Sequence, residues 1–292
     1  MAIYWQSHKW RRMMSQSAVP SSFATSFSRI RWQGFGHAIT MHLRSFLEWF
    51  GELGLFTGKV LHGVFTRPFE GRELIRQMDA IGSKSLPLVA LAGAATGVVL
   101  SLQTRDSLTR FGAKAMLPAI IVFSLIKESG PVITGLVVSG RAGAGIGAEL
   151  GSMKVTDQID AMEVCAVNPY KYLAATRVLA CILTLPLLTL AADACGILSG
   201  WIASALTESI TLRHFLQDGL KDSAFSDFLP PTFKTTIFGL IIGLVSCFQG
   251  MRTRGGTEGV GRSATSSVVL SSLFIILADV VLVRLIQLFF PS

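Results

Sequence analysis

The sequence predicts an all-α integral membrane fold: an N-terminal amphipathic interfacial helix, five transmembrane helices, and a short cytoplasmic helix between the second and third. Three observations carry this prediction. Of the 292 residues, 50% are hydrophobic and only 15% are charged, whereas soluble domains carry about 25% charged residues. The apolar residues gather into five blocks, and a span needs ~20 of them to cross about 30 Å of hydrocarbon. Lys and Arg, finally, are distributed unevenly between the two sides that these blocks define.

The blocks are Leu86–Thr104, Leu117–Ser139, Val178–Ala203, Thr232–Phe248 and Val268–Phe290. Eleven Lys and Arg precede the first block, four lie between the second and third, and three between the fourth and fifth. The opposite side holds six, counting Lys234 at the outer start of the fourth block. Positive charge marks the cytoplasmic side, so the N-terminus is cytoplasmic and, with an odd number of spans, the C-terminus lies outside. The net charge of +8 follows from this topology and from contact with anionic lipid. Nucleic-acid binding is excluded, because the basic residues form no compact stripe interleaved with aromatics. Cys165, Cys181, Cys195 and Cys247 show no CxxC spacing and read as small core residues, not as a disulfide or metal framework.

Residues 1–36 form a basic tail rich in Arg and Ser, with no acidic residue before Glu48. Its composition suits an organelle transit peptide or a disordered cytoplasmic tail, and the tail is preferred. It has no apolar run and cleavage site of the secretory kind. Residues 37–84 comprise the interfacial helix and a connector. On a helical wheel Ile39, Leu43, Phe46, Leu47, Phe50, Leu53, Val60, Leu61 and Val64 share one side, and Arg44, Glu48, Glu52, Lys59 and His62 the other. Such a helix is too polar to span lipid and lies in the interface. Gly82 and Pro87 mark the end of the connector, and residues 85–292 form the five-span domain.

Within the second block Lys127 and Glu128 sit near mid-span, where each charge costs at least ~2.5 kcal/mol. Gly130 and Pro131 follow at once, and the proline ring displaces the carbonyl of Lys127 and kinks the helix. Asp193, Lys234 and Asp279 are further charges in the third, fourth and fifth blocks, with Lys234 near the outer start of the fourth. Two readings stand at this point. Lys127–Glu128 and Lys234–Asp279 are structural ion pairs, or Lys127, Glu128, Lys234 and Asp279 form a polar belt lining a substrate cavity.

The glycines Gly143, Gly147 and Gly151 recur every four residues, which makes a small-residue face for close helix packing. They are not a nucleotide loop, since neither GxxxxGK[ST] nor GxGxxG spacing is present. After them, residues 154–166 read as a short helix with Thr156 as N-cap and Asp157, Asp160 and Glu163 toward its positive end. Val155, Ile159, Met162 and Ala166 supply an apolar face, and Asn168-Pro169 ends it. A short amphipathic helix between two spans suits docking to a cytoplasmic protein.

The stretch "KESGPVITGLVVSGRAGAGIGAELGSMKVTDQIDAMEVCAVNPYKYL", with "GRELIRQMDAIG", "LPLLTLAADACGILSGW" and "SSLFIILADVVL", resembles the MlaE permease family of ABC transporters over residues 40–290. The resemblance implies two permease copies paired with two cytoplasmic ABC ATPase subunits, an MCE-domain protein outside, and a phospholipid in the cavity between the copies. In some systems a STAS-domain protein joins the ATPase. It implies that the chain is not itself an enzyme and has no cofactor, since ATP and Mg belong to the partner. It also implies residence in the bacterial inner membrane, a role in outer-membrane lipid asymmetry, and ATPase coupling through Thr156, Asp157, Asp160, Met162 and Glu163. The polar cavity positions correspond to Lys127, Glu128, Lys234 and Asp279, where Lys127 replaces what is often an Arg and so cannot grip bidentately. The motif assigns no role to Asp193. The rival class is a stand-alone secondary transporter or channel using the same charges; it would more often show inverted repeats, and five unequal spans show none.

Overall fold

The computed structural model describes residue 44 and residues 47–64, 70–208, 210–221 and 229–289. The tail 1–36 and the expected apolar positions Ile39, Leu43 and Phe46 lie outside the described residues. Among those described, all regular structure is helical and five helices are long and apolar enough to cross a membrane. The chain divides into two compact units, one ending at Leu55 and one beginning at Phe56.

Helix α1 covers residues 47–64. Before it, Arg44 Nε donates to Glu48 Oε1 at 2.8 Å, an i, i+4 pair across one turn. Within the second unit α1 buries Phe56, Val60 and Gly63. Of the apolar side read from the sequence, Val60 is buried and Leu61 is exposed, and Phe56 packs its ring edgewise on Tyr170 and Phe248. A wheel ranks residues by apolarity, but the packed face goes where aromatic neighbours wait.

The remaining helices are α2 (Gly71–Arg110), α3 (Lys114–Val155), α4 (Gln158–Val164), α5 (Tyr170–Leu206), α6 (Leu212–Leu220), α7 (Leu229–Met251) and α8 (Gly256–Phe289). Helices α2, α3, α5, α7 and α8 are the five spans. Several run well past their apolar blocks. α3 has 42 residues, about 60 Å at 1.5 Å per residue, twice the hydrocarbon thickness. The connector before Leu86 is likewise continuous with the first span, through a π-turn at Asp79–Ser83. Pro87 falls in the first turn of the α-helical stretch, where its missing N–H costs nothing.

α5 lies between α2 and α7, and α7 and α8 pack on the glycine-rich half of α3. Small residues make these approaches possible. A side chain at Gly93 or Gly97 of α2 would land on the carbonyls of Ala192 and Gly196 of α5. Ser199 Oγ donates to the Ala94 carbonyl at 2.7 Å, and Ser101 and Ser204 share a hydrogen bond of 2.9 Å.

α6 was not expected, because "LRHFLQDGL" is polar. It packs on the first turns of α3, with Phe215 fully buried among Leu117, Ile121, Val122 and Leu125. Trp201 Nε1 donates to the Ile210 carbonyl at 3.0 Å and holds the approach to α6.

Candidate functional site

Pro131 has no N–H to give the helix ladder. α3 responds with a π-turn at Leu125–Ser129 just before Gly130, and π-turns of this kind recur at functional sites. Lys127 and Glu128 sit in that turn. Adjacent helix positions point about 100° apart, and the two side chains go to different neighbours. Lys127 Nζ lies 4.0 Å from the centre of the Phe123 ring, a cation–π contact. Glu128 Oε2 accepts from Lys234 Nζ at 3.0 Å.

Lys234 is the centre of the cluster. Its side chain is 1% exposed, and Nζ also lies 2.5 Å from Asp279 Oδ1. It is thus buried within the bundle, although it stands in the second turn of α7. The reason is packing: Gly239 and Gly243 of α7 sit on Cys181–Ile182 and Val178 of α5, which sets α7 in register beside α5. The ion pairs join α3, α7 and α8: the pair Lys234–Asp279 read from the sequence is present, and Glu128 joins the same lysine. The four formal charges, with Lys127, cancel. Asp279 is 14% exposed but Glu128 is 50% exposed, so one carboxylate of the cluster opens from the bundle at mid-span.

Gly130 touches the third acid of the spans. A Cβ there would land on Asp193 Oδ1. Asp193 is 8% exposed, and Oδ1 has no hydrogen-bond partner among the described residues. It faces a cavity of about 200 Å³ lined by Ile126, Thr189, Pro231 and Thr232, among others.

The glycine row lies below this cluster. Gly143 faces Ser246 and Ser271, Gly147 faces Ser267, and Gly151 faces Ser263 and Thr253. Ser263 Oγ donates to the Gly147 carbonyl at 2.9 Å, and Ser139 and Ser271 share a hydrogen bond of 2.7 Å. The seam therefore combines backbone approach with hydroxyl bonds across helices.

The helix expected at 154–166 is two pieces. α3 ends at Val155 and α4 begins at Gln158. Thr156 is not an N-cap: its Oγ1 donates back to the Ser152 carbonyl at 2.8 Å and so closes the last turn of α3. Asp157 takes the N-cap place with φ +56°, because the chain has to reverse there and a left-handed residue makes the reversal. Ala166, φ +59°, makes the second reversal after α4. Asp160 pairs with Lys154 at 2.5 Å. Ile159 is buried, Met162 is half-buried, and Glu163 and Val164 are exposed. Asn168 Oδ1 accepts from the backbone N–H of Tyr170 at 3.0 Å and starts α5.

Two charged residues that sequence reading used only to count topology prove to be buried or bridging. Arg177 is 2% exposed and pairs through Nη2 with Glu149 Oε1 at 2.9 Å. Arg141 Nη1 donates to the Ala80 carbonyl at 3.1 Å and to Ser85 Oγ at 2.8 Å, joining α3 to α2. The available signal for Arg177 was a lone cation one residue before the uninterrupted apolar run that begins at Val178.

Comparison with known proteins bears on this arrangement. The profile of the family Permease MlaE matches residues 74–285. A probable ABC transporter permease protein of Rickettsia prowazekii is 35% identical over 249 residues, covering 85% of this chain and 96% of its own. A probable ABC transporter permease protein of Synechocystis is 30% identical over 247 residues, 85% of this chain and 92% of its own. The chloroplastic protein trigalactosyldiacylglycerol 1 of Arabidopsis thaliana is 33% identical over 228 residues, 78% of this chain and 65% of its own.

Proposed function

The chain belongs to the MlaE permease family, and from that premise we propose that it moves glycerophospholipid between the bacterial inner membrane and a periplasmic MCE-domain carrier, as the permease subunit of an ABC transporter. In that role it contributes to outer-membrane lipid asymmetry. The observation that carries the reading is the Glu128–Lys234–Asp279 cluster, with Glu128 half-exposed at mid-span. A carboxylate at that depth is tolerated only against protein or a wet cavity. A homodimer whose two copies face each other across such a cavity supplies that setting. A phospholipid headgroup carries a phosphate, which suits Lys127 and Lys234. Any headgroup ammonium or hydroxyl suits Glu128 and Asp279. Apolar residues of the first, second and fifth spans then meet the acyl chains. The Arabidopsis relative, named for a galactolipid, supports a lipid substrate.

Energy comes from a separate ABC ATPase, which binds ATP and Mg, and a STAS-domain protein joins it in some assemblies. The N-terminus is cytoplasmic and the C-terminus periplasmic, and α1 lies in the cytoplasmic interface. α4 is the coupling helix: Asp157, Met162, Glu163 and the exposed Val164 meet the ATPase, while Thr156 and Asp160 shape the turn. When the two ATPase subunits close, the α4 helices change their separation, and α3 and α5 pass this motion to the cavity.

The test is purification of the tagged chain from its native membrane in mild detergent, with proteins and lipids identified by mass spectrometry. The variant Glu163→Lys with Val164→Asp is purified beside it. Recovery of an ATPase, an MCE-domain protein and phospholipid is expected, with the ATPase lost from the variant. A chain recovered alone and without lipid, in detergent that keeps a known ABC complex intact, would refute the assignment and favour a stand-alone transporter.

A further inference from the structure

The cytoplasmic excursion from α3 to α5 is a hairpin with α4 at its tip. Its descending leg is Ala144–Val155 and its ascending leg is the π-turn Tyr170–Ala175. Each leg is packed on a different neighbour. On the descending leg, Gly151 faces Thr253 and Ser263, and Leu150 lies against Gly250. On the ascending leg, Tyr170 meets Phe56, Lys59 Nζ lies 5.0 Å from the centre of the Tyr170 ring, and the Cα of Lys171 lies close under Gly63.

One side chain joins the two legs at the base. Arg177 Nη2 pairs with Glu149 of the descending leg at 2.9 Å, and Nη1 donates to the Leu173 carbonyl of the ascending leg at 3.0 Å. The guanidinium is buried, yet its Nε finds no acceptor among the described residues. Stability alone does not account for it. Its partner Glu149 is half-exposed, so the pair only partly offsets the cost of burying the guanidinium; the best-attested use of such a pair is to hold register.

We infer that Arg177 and Glu149 form a positioning latch that makes the two legs of the hairpin move as one body, so that displacement of α4 reaches α3 and α5 together. This rests on the transporter reading above. Arg177 suits the task because its planar fork bonds the Glu149 carboxylate across the hairpin while a second bond, to the Leu173 carbonyl one turn back on its own helix, fixes the guanidinium in place. Without the latch, the ATPase still docks on α4 and hydrolyses ATP, but the motion is taken up by the two legs sliding past each other.

The experiment uses the whole transporter, purified and placed in phospholipid vesicles, with wild type, Glu149→Gln and Glu149→Asp. Glu149 is half-exposed, so neither change empties the core. Three quantities are read: ATPase recovered with the chain, labelled phospholipid moved per ATP hydrolysed, and amide hydrogen exchange of residues 156–168 in the complex. Glu149→Gln is expected to keep the ATPase bound, to exchange faster over 156–168, and to move about fivefold less lipid per ATP, within the range for residues that relay coupling. Glu149→Asp, which keeps the charge, returns the ratio toward wild type. An unchanged ratio in Glu149→Gln overturns the latch. Loss of the ATPase also overturns it, because the pair would then act in assembly. If wild type itself moves no lipid, the transporter reading fails, while unchanged exchange over 156–168 would still overturn the latch separately.

Discussion

Replacing Lys234 by Met keeps most of the side-chain volume and removes the one cation that two carboxylates share. Asp279, 14% exposed, is left as a buried anion without its partner, whereas Glu128, 50% exposed, retains access to the cavity and adds little. Removing one partner of a buried pair costs about 3–5 kcal/mol, while replacing both by apolar residues is often neutral. Lys234→Met is therefore expected to lower the Tm of the purified chain in detergent by something on the order of 10 °C. Lys234→Met with Asp279→Leu is expected to recover most of that loss. Lipid movement in vesicles should remain reduced in both variants, because the headgroup has then lost one of its two cations and keeps only Lys127. A double variant as unstable as the single would refute the electrostatic argument. A double variant that moves lipid normally would remove the cluster from the substrate path.

Gly130→Ala places a methyl on Asp193 Oδ1 and should destabilise the chain by about 1–3 kcal/mol, as overpacking does; Asp193→Ala in the same chain should relieve it, and melting in detergent reads both. Ala166 holds φ +59°, a conformation costing roughly 1–2 kcal/mol for an L-residue with a side chain. Ala166→Gly is expected to raise Tm slightly and Ala166→Val to lower it, and an Ala166→Val chain that melts like wild type would mean that the second reversal carries no strain.

Much of the fold is legible in the sequence because hydrophobicity is local. Lipid contact demands long apolar runs, and the described residues of each of the five blocks lie in a spanning helix. Helix ends are less legible. Once a span leaves the hydrocarbon, polar residues such as Arg141, Glu149 and Lys154 continue the helix as readily as they would end it. α6 escaped for a related reason. Its sequence is polar, and only Phe215 shows which side is buried, something a nine-residue segment cannot announce by periodicity. Thr156 met the pattern of an N-cap, but the pattern does not say which of two adjoining helices the hydroxyl will serve.

The charges show where the boundary lies. That Lys127, Glu128, Lys234 and Asp279 stand in helices apolar enough to cross a membrane follows from the sequence, because each lies within one of the five apolar blocks. Which carboxylate meets which ammonium does not follow. Neighbours in sequence diverge by about 100° on a helix, so Glu128 turns from Lys127 to a lysine 106 residues away. The burial of Lys234 likewise depends on Gly239 and Gly243 seating α7 on α5. The sequence determined the medium each residue enters, since transfer free energy belongs to the residue itself. Only the tertiary structure determined the partners, since a pairing energy exists only once packing has brought two distant helices into register.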